Sequence, residues 1–175
     1  MRNVLFGLLY LGLTSLAYSQ EIPTSIDFKE VKLIGVTVTP LNTTYLRKVQ
    51  DKNTPELVKK LENTAARFDV TEASIYDGNH EGYEVIFEQT NGRIIATYDQ
   101  NGKIVSSFER FTNLNLPPPV RNNIAREYPG WVVHKDAYLV SYYVDSEHVK
   151  KVYKIQIRKD NERKNIRCTV EGEIL

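Results

Sequence analysis

The stretch Tyr83–Phe111, YEVIFEQTNGRIIATYDQNGKIVSSFERF, decides the fold of this chain. Apolar and polar residues alternate through it, which is the pattern of β-strands that bury one face. Asn91-Gly92 and Asn101-Gly102 interrupt the alternation, and Asn-Gly is a strong signal for a tight hairpin turn. The stretch therefore predicts three consecutive antiparallel strands, with the second at Arg93–Tyr98 and the third at Lys103–Phe111.

Two helices are predicted, one on each side of these strands in the sequence. The first begins at Thr54-Pro55, because Thr can cap a helix and Pro fits its first turn. The second follows Pro117–Pro119 and ends at Pro129-Gly130. Apolar residues recur every three or four positions in both segments, so each helix has one apolar face. These residues are Leu57, Val58, Leu61, Ala65 and Phe68 in the first helix, and Val120, Ile124 and Tyr128 in the second.

After the second helix the sequence returns to strand patterns. Polar turns at Lys135-Asp136, Asp145–His148 and Asp160–Asn165 separate four segments rich in apolar and β-branched residues. The predicted strands are Trp131–His134, Tyr138–Val144, Val149–Arg158 and Ile166–Val170. Helices and antiparallel strands in this order predict an α+β fold, an antiparallel sheet covered on one face by two helices. The other face is left to solvent or to a partner.

Short segments recur along the chain and indicate an internal repeat. Two matches lie 70 positions apart and a third lies 72 apart, all in the same order. The matches are Tyr83–Phe87 with Tyr153–Ile157, Gly102–Val105 with Gly172–Leu175, and Ala96–Asp99 with Cys168–Glu171. A helix that begins at proline precedes each copy. We predict a duplicated unit of one helix followed by antiparallel strands.

The composition is that of a folded protein, and the length suits one domain or two very small ones. The chain has 175 residues, of which 41% are apolar and 26% are charged. These values exclude a disordered chain and a multipass membrane protein. The 23 Lys and Arg residues nearly balance the 22 Asp and Glu residues. We therefore expect no nucleic-acid partner, since a dedicated nucleic-acid-binding protein carries a basic excess.

The N-terminal segment has the layout of a secretory signal peptide. Arg2 precedes the apolar run Val4–Leu13, and Ala17-Tyr18-Ser19 provides small residues before a cleavage site. We assign residues 1–19 to this leader and expect Gln20 to begin the mature chain. The alternative, an N-terminal anchor, is disfavoured because a membrane span needs about 20 apolar residues. We expect a periplasmic or secreted protein with no membrane span after cleavage.

Residues 20–53 are predicted to form an N-terminal extension with one strand. The strand is Val31–Thr39, which is rich in β-branched residues and ends before Pro40. Residues 41–53 are polar and show no periodicity that assigns them to a helix or a strand. The main domain is expected to span residues 54–175.

Spaced positions in the main domain carry a resemblance to a known family. They are Leu116-Pro117, Tyr128–Trp131, Lys135–Val140, Lys151–Lys154 and Gly172–Leu175, with Tyr98–Ile104 in the first half. Over residues 54–175 the chain resembles the exported PepSY-like proteins of bacterial envelopes, also called beta-lactamase-inhibitor-like proteins. The resemblance implies a sheet with helices on one side, built from two PepSY-like α-β repeats at about 54–115 and 116–175. It brings no catalytic residues, and the family name points to binding or inhibition of a protein.

Local motifs for catalysis are missing from the sequence. It contains no G-x-S-x-G or S-x-x-K nucleophile motif and no glycine-rich phosphate loop. His80, His134 and His148 lack the spacing of a zinc site. We therefore expect a protein that is not an enzyme and needs no cofactor. An enzyme assembled from dispersed residues is kept as an alternative.

One acidic segment resembles a calcium-binding loop. Asp77, Asn79, Glu81 and Glu88 nearly follow the spacing of the oxygen ligands in an EF-hand. An EF-hand loop leads into a helix, whereas Tyr83–Gln89 alternates as a strand, and this favours a simple acidic turn. A calcium-binding or small-ligand-binding periplasmic protein is therefore the second functional hypothesis.

The single cysteine, Cys168, cannot form a disulfide within the chain. It alternates with polar residues and shares a strand face with Ile166 and Val170. We predict that it is a small buried residue rather than a redox-active thiol. The fold must therefore be stabilised by its core.

The strand Val149–Arg158 suggests a binding surface. Side chains alternate along a strand, so Lys150, Lys154 and Arg158 share one face, which Arg167 can join. Tyr142 is a candidate aromatic contact there. The leading hypothesis is an exported non-catalytic module that binds or inhibits an envelope protein, peptide or peptidase through these residues. An ordinary solvated sheet face is the alternative.

Overall fold

The computed structural model describes residues 41–175. Its helices are α1 (Thr43–Val49), α2 (Glu56–Arg67) and α3 (Pro118–Glu127), with one 3-10 turn at Val70–Glu72. Its strands are β1 (Tyr83–Gln89), β2 (Gly92–Tyr98), β3 (Ile104–Thr112), β4 (Val132–Tyr143), β5 (Lys150–Lys159) and β6 (Glu162–Cys168). The predicted leader and the predicted strand Val31–Thr39 lie outside the described residues.

The six strands form one antiparallel sheet in chain order, β1 to β6. Each strand pairs with the one before it, so no crossover is needed, although the connection from β3 to β4 contains α3. Asn91 has φ 64° in the turn between β1 and β2, a left-handed conformation that Asn tolerates better than most residues. The predicted α+β class with an antiparallel sheet is confirmed.

Three features of the structure differ from the sequence prediction. Lys135-Asp136 is not a turn but lies inside β4, where the pairing with β5 shifts between Val133 and Lys135. A bulge of this kind keeps the strand continuous while it changes the register. The predicted turn Asp160–Asn165 is shorter, because β6 already begins at Glu162. A third helix, α1, forms in the segment that showed no periodicity.

The helices cover one face of the sheet. Tyr45 of α1 makes a T-shaped contact with Tyr142 of β4 at a ring-centroid distance of 5.3 Å. Tyr98 of β2 donates a hydrogen bond of 2.8 Å to the carbonyl of Ala65 in α2. Val120 and Ile124 of α3 belong to the same buried cluster. Most of the tyrosines on this face therefore serve packing.

Two hairpins of the sheet have the same register. In the first hairpin, β1–β2, Val85 pairs with Ala96. In the second hairpin, β5–β6, Ile155 pairs with Ile166, so both partners are shifted by 70 residue numbers. The turns that follow match as well, because Gly102 N–H donates to Asp99 O and Gly172 N–H donates to Thr169 O, each at 3.1 Å.

The shift of 70 corrects one predicted match and limits the repeat. The counterpart of Cys168 is Tyr98 rather than Ala96, because the register is constant through both hairpins. The helices do not follow the same shift, since α2 leads into β1 whereas α3 leads into β4. A duplicated unit of one helix and its strands is therefore not confirmed, and the equivalence is that of the hairpins and their turns.

The last residues of the chain pack against β6 and α3. Cys168 forms a bridge with Ile174, and Leu175 N–H donates to the carbonyl of Arg167 at 2.8 Å. Gly172 has φ +92°, and a Cβ there would lie 2.5 Å from the carbonyl oxygen of Pro119, so only glycine fits. Cys168 is fully buried, as predicted, and burial raises the pKa of its thiol to about 11.

Candidate functional site

The face of the sheet that the helices leave uncovered is called the open face. It exposes apolar side chains on β1, β3 and β4, since Ile86, Phe108 and Tyr143 are each 48% exposed there. Phe108 and Tyr143 form a T-shaped pair with centroids 5.6 Å apart. Exposed aromatic side chains on a rigid sheet are common anchors in protein interfaces.

A shallow depression of about 250 Å³ lies on the open face over β4, β5 and β6. Three of the predicted contact residues line it, namely Lys150, Lys154 and Arg167. Leu139 and Val152 pair with each other across β4 and β5 and form its apolar floor. All three cations are exposed, so the depression combines an apolar base with a positively charged rim.

Arg158 also lies on the open face, but outside this depression. It is four residues from Lys154 along β5, a separation of about 13 Å in a strand. Its Nε donates a hydrogen bond of 3.1 Å to the carbonyl of Asp160. The structure thus places four of the five predicted contact residues on one face.

The fifth predicted contact residue, Tyr142, lies on the opposite face. Tyr142 is 1% exposed and packs under α1, where it cannot touch a partner of the open face. Its neighbour Tyr143 points the other way and is the exposed aromatic residue. The expectation that Tyr142 contributes to the binding surface is therefore wrong.

The second hairpin carries two pairs of opposed cations on the open face. Lys154 pairs with Arg167, and Arg158 pairs with Arg163. Between them, Gln156 and Asn165 form a side-chain hydrogen bond of 3.0 Å. Within residues 41–175, none of these four cations lies within 4.0 Å of a carboxylate oxygen.

The equivalent positions of the first hairpin are not cationic in the same way. Glu88 pairs with Arg93, and their side chains form an ion pair of 3.3 Å. Glu84 pairs with Thr97. The open face is therefore acidic and mixed over β1–β2, and strongly basic over β5–β6.

The acidic segment proposed for calcium is not assembled as a metal site. Asp77 Oδ1 accepts hydrogen bonds from Asn79 N–H at 3.0 Å and from the Tyr83 hydroxyl at 2.9 Å, and contacts His80 Nδ1 at 3.0 Å. These contacts lower the pKa of Asp77 below its usual range, and the hydrogen bond from the Asn79 backbone contributes most. Glu88 lies further along β1 in its ion pair with Arg93. Across the described part of the chain, no three acidic, His or Cys side chains converge as metal ligands.

Two carboxyl groups are buried beneath the helices, and sequence reasoning missed them. Glu62 of α2 is 0% exposed and Glu109 of β3 is 4% exposed. Tyr45 and Ser107 donate hydrogen bonds to Glu109 Oε1 at 2.7 and 2.8 Å. Burial raises the pKa of both groups, that of Glu62 to about 9, so Glu62 holds a proton near neutral pH.

A sequence signal for this buried pair does exist. Glu62 lies four residues after Val58 and three before Ala65, on the apolar stripe of α2. Glu109 shares the covered side of β3 with Phe111. A charged residue at an apolar position of each element could have indicated the pair.

Comparison with known proteins gives distant structural similarities. No family model and no curated protein matches this sequence. The chain is similar to a DUF2874 family protein from Bacteroides uniformis ATCC 8492, with 19% identity and a TM-score of 0.34, covering 54% of this chain and 68% of that one. A Bacteroides eggerthii DSM 20697 protein, provisionally described as periplasmic, has 20% identity with the same TM-score and coverage. The PepSY-like resemblance is not confirmed by these matches.

Membrane insertion through a helix finds no support in residues 41–175. None of the helices there has the length and apolar character of a membrane span.

Proposed function

We propose that this protein is an exported, non-catalytic module whose open face binds or inhibits a protein or peptide of the cell envelope. The observation that carries the proposal is the depression over β4–β6, where Lys150, Lys154 and Arg167 surround an apolar floor. Apolar surface gives contact area, and cations without carboxylate partners give charge recognition to a partner.

Export is supported by the signal-peptide layout of residues 1–19. The periplasm is also the compartment provisionally given to the Bacteroides eggerthii protein. The depression faces solvent on a sheet held by its own core, so the proposed contacts need no rearrangement of the strands.

A non-catalytic role is supported by where the titratable groups lie. Glu62 and Glu109, whose pKa values burial raises, lie under the helices on the other face of the sheet. The depression itself offers two amines, one guanidinium and the hydroxyl of Ser141. Of the described residues, none that lines the depression carries a carboxyl, imidazole or thiol group.

The test is a pull-down from an envelope extract of the source organism at low and high salt. We expect one partner that is retained better at low salt, because the contact is partly electrostatic. Lys154→Glu should abolish its recovery, whereas Lys60→Glu, the same change on the exposed side of α2, should not. Recovery that is equal with both variants, or no partner at all, would contradict the proposal.

A further inference from the structure

The second hairpin places like charges directly opposite one another twice. Lys154 faces Arg167 and Arg158 faces Arg163, all on the open face and all exposed. Opposed like charges destabilise an antiparallel pair, and a guanidinium does not lose its proton to relieve the repulsion. This arrangement therefore works against the stability of the hairpin when no anion is bound.

The first hairpin shows that the geometry does not require opposed cations. The positions equivalent to Arg158 and Arg163 are Glu88 and Arg93, which form an ion pair of 3.3 Å. The same register thus accommodates an attractive pair in one hairpin and a repulsive pair in the other. The charges of the second hairpin consequently need an explanation outside the fold itself.

The spacing of the two cation pairs matches an extended polypeptide. They are four residues apart along β5, or about 13 Å, and side chains at positions i and i+4 of an extended chain have the same spacing and face. The Gln156–Asn165 pair between them is neutral and can hydrogen-bond polar groups. Next to the pair of Lys154 and Arg167, the depression has an apolar floor that can take one side chain.

From this arrangement we propose that the second hairpin binds an extended acidic segment of a partner protein, with one carboxylate at each cation pair, four residues apart. This inference rests on the proposed function and specifies the chemistry of its partner. The cations occur as two discrete pairs with neutral amides between them, which suits separate carboxylates better than a continuous polyanion. The exposed aromatic residues Phe108 and Tyr143 lie on β3 and β4, outside the hairpin, where they cannot stack bases held between the pairs.

The test uses the purified protein and three fluorescent synthetic peptides of equal length, of which the first two also have the same composition. One peptide carries two glutamates four residues apart, a second carries them three apart, and a third has lysines in place of the glutamates. We expect the first to bind at least about tenfold more tightly than the second, whose carboxylates point to opposite faces when extended. The lysine peptide should not bind. Equal affinity for both glutamate spacings would overturn the two-point arrangement.

The matched variants are Arg158→Glu and Arg121→Glu. Arg158→Glu gives hairpin β5–β6 the ion pair found at the equivalent positions of hairpin β1–β2. That pair is compatible with the register, so this variant is expected to fold. Arg121→Glu makes the same charge change at an exposed position of α3. We expect Arg158→Glu to weaken binding of the acidic peptide by at least about tenfold, and Arg121→Glu to leave it unchanged. An equal effect of both variants would show that only net charge matters and would overturn the inference.

Further arms separate this inference from the proposed function. A single-stranded oligonucleotide and vesicles of anionic lipid serve as competing anions, and tighter, Arg158-dependent binding of either one would overturn the acidic-peptide inference. The proposed function fails if the envelope pull-down yields no partner that depends on Lys154. A partner lost in Lys154→Glu, together with no binding of any acidic peptide, would retain the proposed function and reject this inference.

Discussion

The two hairpins of this sheet have one backbone register and opposite surface chemistry. In the first hairpin Glu88 and Arg93 attract each other, and in the second Arg158 and Arg163 repel at the equivalent positions. On the covered face the hairpins also differ, because Tyr98 stands where the second hairpin has Cys168. The comparison teaches that backbone pairing fixes where side chains meet, while the identity of each pair is free to serve stability or binding.

The largest expected effect comes from the covered face. Tyr98→Ala should lower the free energy of unfolding by about 3–5 kcal/mol, because it removes a fully buried ring and its hydrogen bond to α2. Cys168→Ala, the change at the equivalent position, should cost about 1 kcal/mol. Urea unfolding of both variants checks the difference. Equal losses would mean that the two hairpins are anchored to the helices with equal strength.

The next effect is a pH dependence of the free energy of unfolding, which comes from the buried carboxyl groups of Glu62 and Glu109. Burial raises the pKa of Glu62 from 4.5 to about 9 in the folded protein. The folded state therefore holds a proton that the unfolded chain releases. Its contribution to stability is complete below about pH 4.5 and is lost as the pH rises toward 9, by at most about 1.4 kcal/mol per pH unit.

Glu62→Gln should remove most of this slope, because an amide does not titrate. The measurement is the free energy of unfolding in urea at several pH values between 5 and 9. Glu56→Gln is the matched control, since Glu56 is an exposed carboxyl group on the same helix and forms a surface ion pair with Lys59. An unchanged slope in Glu62→Gln would show that the buried pair does not take up the proton.

The smallest expected effect is on the open face. Arg158→Glu should raise the free energy of unfolding by about 0.2–1 kcal/mol, because it replaces an opposed cation pair with the ion pair seen in the first hairpin. The gain should shrink at high salt. A loss of stability in this variant would mean that the repulsion between Arg158 and Arg163 is already relieved within the chain.

The reverse change completes this comparison. Glu88→Arg gives the first hairpin the charge pattern of the second and should lower stability by a similar amount. Thermal unfolding of both variants at two salt concentrations shows whether the two changes have opposite signs. Effects of the same sign would contradict the equivalence of the hairpins.

The sheet could be predicted because its signals are local. The turns after Gln89 and Tyr98 are indicated by the Asn-Gly pairs that lie at them, and alternation indicates the strands that these turns join. Alternation also places Lys150, Lys154 and Arg158 on a common face. These patterns depend only on neighbouring residues, so a single sequence reveals them.

The errors concern information that is not local. Alternation separates Tyr142 from Tyr143, but it does not say which side the helices cover or how β4 and β5 align across their turn. Lys135 and Asp136 resemble a turn because a bulge also interrupts alternation. Helix α1 was missed because it has only two buried residues, Tyr45 and Val49, in a polar segment. Its stability comes from packing rather than from its own sequence.

The segment after β6 has a protective consequence. A strand at the border of a sheet exposes backbone N–H and C=O groups that can template pairing with another chain. Ile174 and Leu175 occupy those groups at Cys168 and Arg167, and Gly172 allows the segment to turn back close to α3. Loss of these residues would uncover a cationic border strand next to a basic surface. The short tail therefore covers the end of this border strand and leaves the open face uncovered.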